Sequence, residues 1–205
     1  MLFILTGDVQ TGKTRWLESL IVSLESRGIS SQGMIAPGVW RSGSDQSAIH
    51  EYVDANGFEK LGIDNVLLPQ HERIAFARRR DIALSEGMLD PNAQSEKEKL
   101  LWHIDENAIS RVNDHLASLP NFNCSKPNLL VIDELGRLEL LRNGGLTEAL
   151  RLLEQGPCKA FPHALVIVRA ALLDKATARF PLWGEPLLIY PNDECAQKVI
   201  DAFFD

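Results

Sequence analysis

The stretch that decides the fold lies near the start of the chain and reads Gly7-Asp8-Val9-Gln10-Thr11-Gly12-Lys13-Thr14. It matches the pattern G-x-x-x-x-G-K-[ST], whose backbone N–H groups surround phosphate oxygens. The apolar run 2–5 precedes it, and apolar residues at helical spacing follow it from Leu17 to Leu24. A strand, a glycine-containing loop and a helix are the context that this motif requires, because the helix N-terminus adds positive potential. The sequence therefore predicts a nucleotide-phosphate site here.

The parts of this loop have different expected roles. Lys13 is expected to reach the β- and γ-phosphates, and the Thr14 hydroxyl to bind Mg²⁺. The other residues expected to contact the nucleotide are Gly7, Asp8, Val9, Gln10, Thr11, Gly12 and Arg15. A plain turn between a strand and a helix is the alternative, but such a turn needs no lysine followed by threonine.

An acidic pair at the end of an apolar run supplies the second half of the expected site. Residues 129–132 are apolar and are followed by Asp133 and Glu134. Ligands of open α/β sheets bind at the carboxyl ends of strands, so Asp133 and Thr14 meet if their strands are near neighbours. Asp133 is expected to hold Mg²⁺ through a bound water, and Glu134 to orient or deprotonate the attacking water. A helix cap or turn is the alternative, and the phosphate loop favours the catalytic interpretation.

Two arginines are candidates for stabilising charge on the γ-phosphate. Arg137 follows the acidic pair, and Arg169 follows the apolar run 164–168 at the same expected edge. Either also fits a solvated position or an ion pair with Glu139 or Asp174, so both interpretations stay open.

Other conspicuous residues carry weaker signals. The run Arg78-Arg79-Arg80 fits a phosphate-contacting lid, although a solvated charge run is the simpler interpretation. Trp40 fits stacking on a base, but a core or partner contact is more common for such a residue. The five histidines show no metal-ligand spacing.

The order of predicted elements favours an α/β fold. The first strand–helix unit covers residues 2–27, with Gly28 placed to end the helix. Later strands are predicted at 100–104, 128–132, 164–168 and 187–190. Helices are predicted from Asp105, at 146–154, at 171–178 and from about Ala196. This alternation predicts a mostly parallel sheet flanked by helices, in a single domain covering 1–205.

Residues 33–68 interrupt the alternation and predict an antiparallel hairpin extension of the sheet. The strand candidates are 33–40 and 47–53, which form a hairpin-like pair around a Ser/Gly/Asp cluster, followed by 58–61 and 66–68. Residues 85–99 are polar and predict a solvated loop.

Composition limits the partners. The net charge of −7 argues against binding nucleic acid by bulk electrostatics. Cys124, Cys158 and Cys195 form no C-x-x-C motif and predict reduced thiols. No signal peptide or apolar run of membrane-spanning length is recognisable, so we expect a cytoplasmic protein without membrane contact.

The segment Val131-Ile132-Asp133-Glu134-Leu135-Gly136-Arg137-Leu138-Glu139-Leu140 resembles the I-D-E-[IL]-G-[KR]-[ML]-E-L segment of the thermophilic nucleoside-triphosphatase family, which includes the cancer-related nucleoside triphosphatase. Gly33-Met34-Ile35-Ala36-Pro37 is similar to that family's G-[FM]-x-[AT]-P strand. Residues 101–105 look like the strand and helix start that precede its Walker B strand. The resemblance covers nearly the whole chain. The phosphate loop differs from the family's G-x-P-G-x-G-K-[ST]-T at Val9, Gln10 and Arg15.

The resemblance implies a P-loop NTPase that hydrolyses ATP, GTP and other nucleoside triphosphates with Mg²⁺ and little base discrimination. Lys13, Thr14, Asp133 and Glu134 would take the roles described above. Two alternatives stay open: a small kinase for a nucleotide or metabolite, and a nucleotide-dependent switch with slow turnover. They would require an unidentified phosphate acceptor or protein partner, respectively. The absence of an N-K-x-D motif disfavours a Ras-like GTPase.

Overall fold

The computed structural model describes residues 1–8, 11–119 and 126–204, and these residues form a nine-stranded sheet with helices on both faces. The strands are β1 (Leu2–Leu5), β2 (Ser30–Ile35), β3 (Gly38–Ser42), β4 (Phe58–Leu68), β5 (Glu72–Arg79), β6 (Trp102–Ile104), β7 (Asn128–Leu135), β8 (His163–Val168) and β9 (Leu187–Ile189). The helices are α1 (Lys13–Glu25), α2 (Arg80–Ser85), α3 (Gln94–Lys97), α4 (Glu106–Ser118), α5 (Arg137–Arg142), α6 (Thr147–Glu154), α7 (Leu173–Arg179) and α8 (Asp193–Asp201). Within the described ranges, no helix is long and apolar enough to cross a membrane.

One half of the sheet, the parallel half, contains β2, β7, β8, β1 and β9 in this order. Its central strands are apolar because helices cover both of their faces. In β1, Leu2 and Ile4 belong to the core that includes α4 and α6, whereas Phe3 and Leu5 belong to the core that includes α1 and α8. The predicted α/β fold, a mostly parallel sheet flanked by helices, is confirmed.

Several predicted helix boundaries in the parallel half are confirmed by their capping residues. Helix α1 begins directly after Gly12, and Gly28 follows its end with a left-handed φ of 76°. The Asp105 carboxylate caps α4 by accepting hydrogen bonds from the backbone N–H groups of Asn107 (2.7 Å) and Ala108 (3.4 Å).

The other strands form the antiparallel extension, which consists of β3, β4, β5 and β6 and joins the parallel half where β4 pairs with β2. The predicted extension is confirmed, and it continues beyond residue 68 to Ile104. The predicted strand 100–104 therefore belongs to this extension as β6, antiparallel to β5.

The detailed strand predictions in this region are partly wrong. Residues 47–53 do not form a hairpin with 33–40, because they contain a 3-10 turn at His50–Tyr52, and β3 pairs with β4 instead. The predicted strands 58–61 and 66–68 are one continuous strand, β4. Strand β5 and helix α5 were not predicted, and the predicted loop 85–99 contains the short helix α3.

A charged residue explains why β4 was predicted as two separate strands. Asp64 interrupts the apolar pattern of β4, but its carboxylate lies 3.0 Å from Arg78 and 3.1 Å from Arg73 of the neighbouring β5. Cross-strand ion pairs of this kind compensate charge within a sheet. The sequence pattern of β4 alone does not show which charged residues on the neighbouring strand pair with Asp64.

Candidate active site

The phosphate loop connects β1 to α1 with two glycines in left-handed backbone conformations. Gly7 has a φ of 136° and Gly12 a φ of 80°, which side chains rarely tolerate. Gly12 directly precedes α1, so the first N–H groups of that helix lie at the loop. Val9 and Gln10 lie outside the described residues. Asp8 and Arg15 are exposed at the two ends of the motif.

Lys13 contacts the loop's own oxygen atoms. Its ammonium group donates to the carbonyl oxygen of Gly7 at 3.0 Å, to the carbonyl oxygen of Asp8, and to the hydroxyl of Thr11 at 3.3 Å. Partial burial lowers the pKa of Lys13, while the negative charge of Glu134 opposes this shift. The lysine is thus held beside the loop and within electrostatic range of the acidic strand end.

Asp133 connects the acidic strand end to the phosphate loop. Asp133 is 3 % exposed, and its carboxylate accepts a hydrogen bond from the Ala36 N–H at 2.8 Å. The Thr14 side chain lies close enough to lower its pKa. Burial, helped by the neighbouring charge of Glu134, raises the pKa of Asp133 to about 6, although Ala36 and Thr14 both act to lower it. The predicted proximity of Thr14 and Asp133 is therefore observed, although β8 lies between β1 and β7.

Glu134 and Arg169 form an ion pair at the same edge. The Arg169 Nε donates to a Glu134 carboxylate oxygen at 2.5 Å, and both side chains are partly exposed. Glu134 has a φ of 76°, which is uncommon for a residue with a side chain and places strain at this position. The pairing partner of Arg169 is thus Glu134 rather than Asp174.

The remaining arginines differ from one another. Arg137 is exposed at the start of α5 and makes no ion pair with a described residue. The arginines at 78–80 are all engaged in ion pairs: Arg78 with Asp64, Arg79 with Glu59 and Asp81, and Arg80 with Glu96. The predicted solvated charge run does not hold for Arg79, which is buried, and the ion pairs of all three arginines give the lid interpretation no support.

The donor set at the loop fits Mg²⁺. Among the described residues, no group of three or more His, Cys, Asp or Glu side chains could hold a metal ion. Mg²⁺ beside nucleotides needs only one or two protein oxygens, with water and phosphate completing the shell. The Thr14 hydroxyl and the Asp133 carboxylate are two adjacent oxygen donors of this kind.

A cleft of about 550 Å³ lies beside the acidic strand end. Asp133, Glu134, Arg137 and Arg169 line one part of it, and none of the described phosphate-loop residues does. Apolar side chains form most of its wall, among them Phe76, Leu100, Trp102, Ile104 and Leu138. The cleft is therefore on the side of Glu134 that faces the antiparallel extension.

Lys60 of β4 is a cation near the site that the sequence analysis missed. Its ammonium lies 5.3 Å from the centre of the Trp102 ring and 5.6 Å from that of Trp40. Burial lowers the pKa of Lys60, whereas the charge of Glu134 raises it. Its position near the start of β4, with no motif around it, gave no signal of this proximity.

No protein-family model matches the sequence. No curated protein matches it either. One solved structure does.

That structure is the solution structure of a human cancer-related nucleoside triphosphatase. It matches 99 % of this chain and 94 % of its own chain, with a TM-score of 0.59 and 19 % sequence identity. At this identity the likeness shows the fold, and the chain has the fold of a P-loop NTPase.

Proposed function

We propose that the protein is a Mg²⁺-dependent nucleoside triphosphatase that hydrolyses the γ-phosphate of ATP, GTP and other nucleoside triphosphates. The observation that carries the proposal is the proximity of the Thr14 side chain, in the phosphate loop, to the buried carboxylate of Asp133 near the end of β7, whose pKa it lowers. This proximity supports the proposal because it brings together the two predicted halves of a phosphate-transfer site, which are far apart in sequence. The fold shared with a nucleoside triphosphatase supports the same reaction class.

The phosphates would lie against the N–H groups of the loop and of the first turn of α1. Lys13, now bonded to the carbonyl groups of Gly7 and Asp8, would exchange these acceptors for β- and γ-phosphate oxygens. Thr14 and Asp133 would hold Mg²⁺, which supplies positive charge to neutralise the phosphate oxygens. These interactions position the γ-phosphate rather than react with it.

Glu134 would orient the attacking water and accept its proton. As the water oxygen bonds to the γ-phosphorus, the bond to the β–γ bridging oxygen breaks and the nucleoside diphosphate leaves. Arg169 now neutralises Glu134 at 2.5 Å. A γ-phosphate would compete for this guanidinium, and the carboxylate would then be free to act as a base. Arg137 would add positive charge from the start of α5.

The direct test is phosphate release from ATP, GTP, CTP and UTP by the wild type, Lys13→Ala and Glu134→Gln. We expect release from several nucleotides, weak nucleotide binding by Lys13→Ala, and normal binding with about 10²–10⁴-fold slower turnover by Glu134→Gln. Asp174→Asn, an exposed carboxylate close to Arg169 in sequence, is the matched control and should keep full activity. Tight binding of nucleotides by the wild type without phosphate release would reject hydrolysis.

A small kinase is the second candidate, because the cleft beside Glu134 provides space for an acceptor. Glu134 would then take its proton from an acceptor hydroxyl instead of water. This alternative predicts that phosphate release is slow with nucleotide alone and that loss of the γ-phosphate accelerates when an acceptor is added.

A further inference from the structure

The cleft beside Glu134 contains a buried side chain whose hydrogen-bonding groups are unused. Asn65 of β4 is 0 % exposed and lines the cleft. Neither the oxygen nor the nitrogen of its side-chain amide has a hydrogen-bond partner among the described residues. Buried amides without partners are rare, because each unpaired polar atom costs free energy of folding. This cost at a cleft wall indicates a role in binding.

The walls around Asn65 are suited to a flat ring. Phe76, Trp102 and Ile104 contribute apolar surface from β5 and β6, and Leu138 contributes it from α5. Ligand sites commonly combine such walls with a few polar groups that fix orientation, and a volume of about 550 Å³ lies within their usual range. The Asn65 amide offers one donor and one acceptor side by side, which is the arrangement that pairs with the edge of a nucleobase.

Charged side chains of both signs line the cleft, namely Asp133, Glu134 and Glu139 together with Lys99, Arg137 and Arg169. Arg137 lines the cleft without an ion-pair partner among the described residues, and Arg169 lines it too. The ammonium of Lys60 lies 5.3 Å from the ring of Trp102, which is part of the cleft wall. It has no hydrogen-bond acceptor within the described part of the chain. Arg169 is neutralised by Glu134, but Arg137 and Lys60 have no ion-pair partner among the described residues and suit a ligand with an anionic group, such as a phosphate ester.

We propose that this cleft is a second ligand site that binds a nucleoside, free or as its monophosphate, with Asn65 pairing with the base. The ligand is a separate molecule from the nucleoside triphosphate, because none of the described phosphate-loop residues lines the cleft. This separation rests on the proposed function, which places the γ-phosphate at Glu134 and hence the triphosphate's own base at the opposite end.

Calorimetric titration of the full chain tests the site independently of turnover. The probes are adenosine, guanosine, cytidine, uridine and AMP, each added with the phosphate loop saturated by ADP and Mg²⁺. We expect at least one nucleoside to bind. Lys13→Ala, titrated without ADP, should bind the same nucleoside with unchanged affinity, so that a failure of the phosphate site does not affect this result.

Asn65→Leu is the decisive variant, because leucine has a similar size and no polar atoms. We expect nucleoside affinity to fall about tenfold or more, and the thermal midpoint to stay equal or rise because an unpaired buried amide is removed. Leu101→Ser is a second variant that preserves folding, since this cleft residue is 83 % exposed, and it should weaken binding several-fold. If the ligand is the monophosphate, Lys60→Met should weaken AMP binding and leave adenosine binding unchanged. If the ligand is the free nucleoside, Lys60→Met should change neither affinity.

Three results would overturn the proposal. They are the absence of binding by all five probes, unchanged affinity in both Asn65→Leu and Leu101→Ser, and displacement of the nucleoside by ADP from the wild type. The last result would assign the binding to the base subsite of the triphosphate. None of the three depends on whether the protein hydrolyses nucleotides.

Discussion

The parallel half and the antiparallel extension bury carboxylates in opposite ways. Glu139 follows the parallel strand β7 and is held by uncharged backbone groups, the N–H of Gly136 at 2.9 Å and the N–H of Leu146 at 3.0 Å. Burial therefore prevails and raises the pKa of Glu139. No cation compensates this charge within hydrogen-bond distance among the described residues.

In the antiparallel extension, the buried carboxylate of Glu59 lies between two guanidinium groups. The Arg41 Nε donates to it at 2.9 Å, and Arg79 lies 2.7 Å away. Burial alone would raise the pKa of Glu59, but the hydrogen bonds from Arg41 and Arg79 bring it below its ordinary value. The extension compensates its charges internally, whereas the parallel half leaves Asp133 and Glu139 without cations of their own. That difference is consistent with the proposed Mg²⁺ site, which lies in the parallel half.

The largest effect is expected where the two halves join. Gly33 of β2 pairs with Leu68 of β4 on one side and with Val131 of β7 on the other. It has a φ of 119°, and an added Cβ atom would lie 2.0 Å from the backbone oxygen of Val131. Gly33→Ala should therefore separate the strands and cost more than about 4 kcal/mol in the free energy of unfolding, measured by urea denaturation.

Gly57→Ala is the matched control for Gly33→Ala. Gly57 has a φ of 79°, but no atom lies within 4 Å of an added Cβ. Gly57→Ala should lower the free energy of unfolding by only about 1–2 kcal/mol, which is the cost of a left-handed backbone conformation for alanine. Equal losses in the two variants would show that the close approach of β2 and β7 is not what joins the halves.

Sequence patterns predicted the parallel half well because its signals are local. The run 128–132 is apolar throughout, and glycines or aspartates mark the ends of neighbouring elements. The phosphate loop and the Asp133–Glu134 pair also lie in short contiguous segments, so their meeting at one sheet edge followed from the alternation of strands and helices. Their catalytic roles remain predictions.

The antiparallel extension and the cleft were harder to predict because their signals are not local. Lys60 and Asp64 make β4 resemble a loop until their partners on other strands are known. The cleft combines residues of β4, β5, β6 and α5, which no spacing rule brings together. Asn65 in particular is an ordinary polar residue in the sequence, and only its burial makes it notable.

The second prediction tests charge compensation in the antiparallel extension. Glu59→Gln removes the buried negative charge between Arg41 and Arg79, whose side chains are 23 % and 10 % exposed. Removing one partner of a buried ion pair typically lowers the free energy of unfolding by about 3–5 kcal/mol, because the remaining charges lose their counterion. Chemical denaturation at neutral pH would measure this loss.

Glu72→Gln provides the comparison for Glu59→Gln. Glu72 pairs with Arg111 at 2.5 Å, but both side chains are more than half exposed. Solvent screens such pairs, and the loss should be less than about 1 kcal/mol. If Glu59→Gln were equally mild, the ion pairs of the extension would contribute little to its stability.

The smallest effect, and the sharpest distinction between the halves, is expected from the pH dependence of Glu139→Gln. The amide leaves one of the two backbone N–H groups without an acceptor, which should cost about 1–3 kcal/mol at acidic pH. The raised pKa of Glu139 means that its protonated form stabilises the fold. This contribution is fully present below the unfolded-state pKa and is lost as the pH rises through the folded-state pKa.

The stability difference between the wild type and Glu139→Gln should therefore shrink from about pH 4.5 to pH 7.5.

For Glu59→Gln the expected pH dependence is opposite. The lowered pKa of Glu59 means that its charged form stabilises the fold above the unfolded-state pKa, and that contribution is lost as the pH falls through the folded-state pKa. Its difference from the wild type should grow or stay constant over the same interval. Because each comparison is made against the wild type at the same pH, other titrating groups cancel. Parallel pH profiles for the two variants would mean that arginines and backbone N–H groups hold these carboxylates in the same way, and that the electrostatic distinction between the two halves is not real.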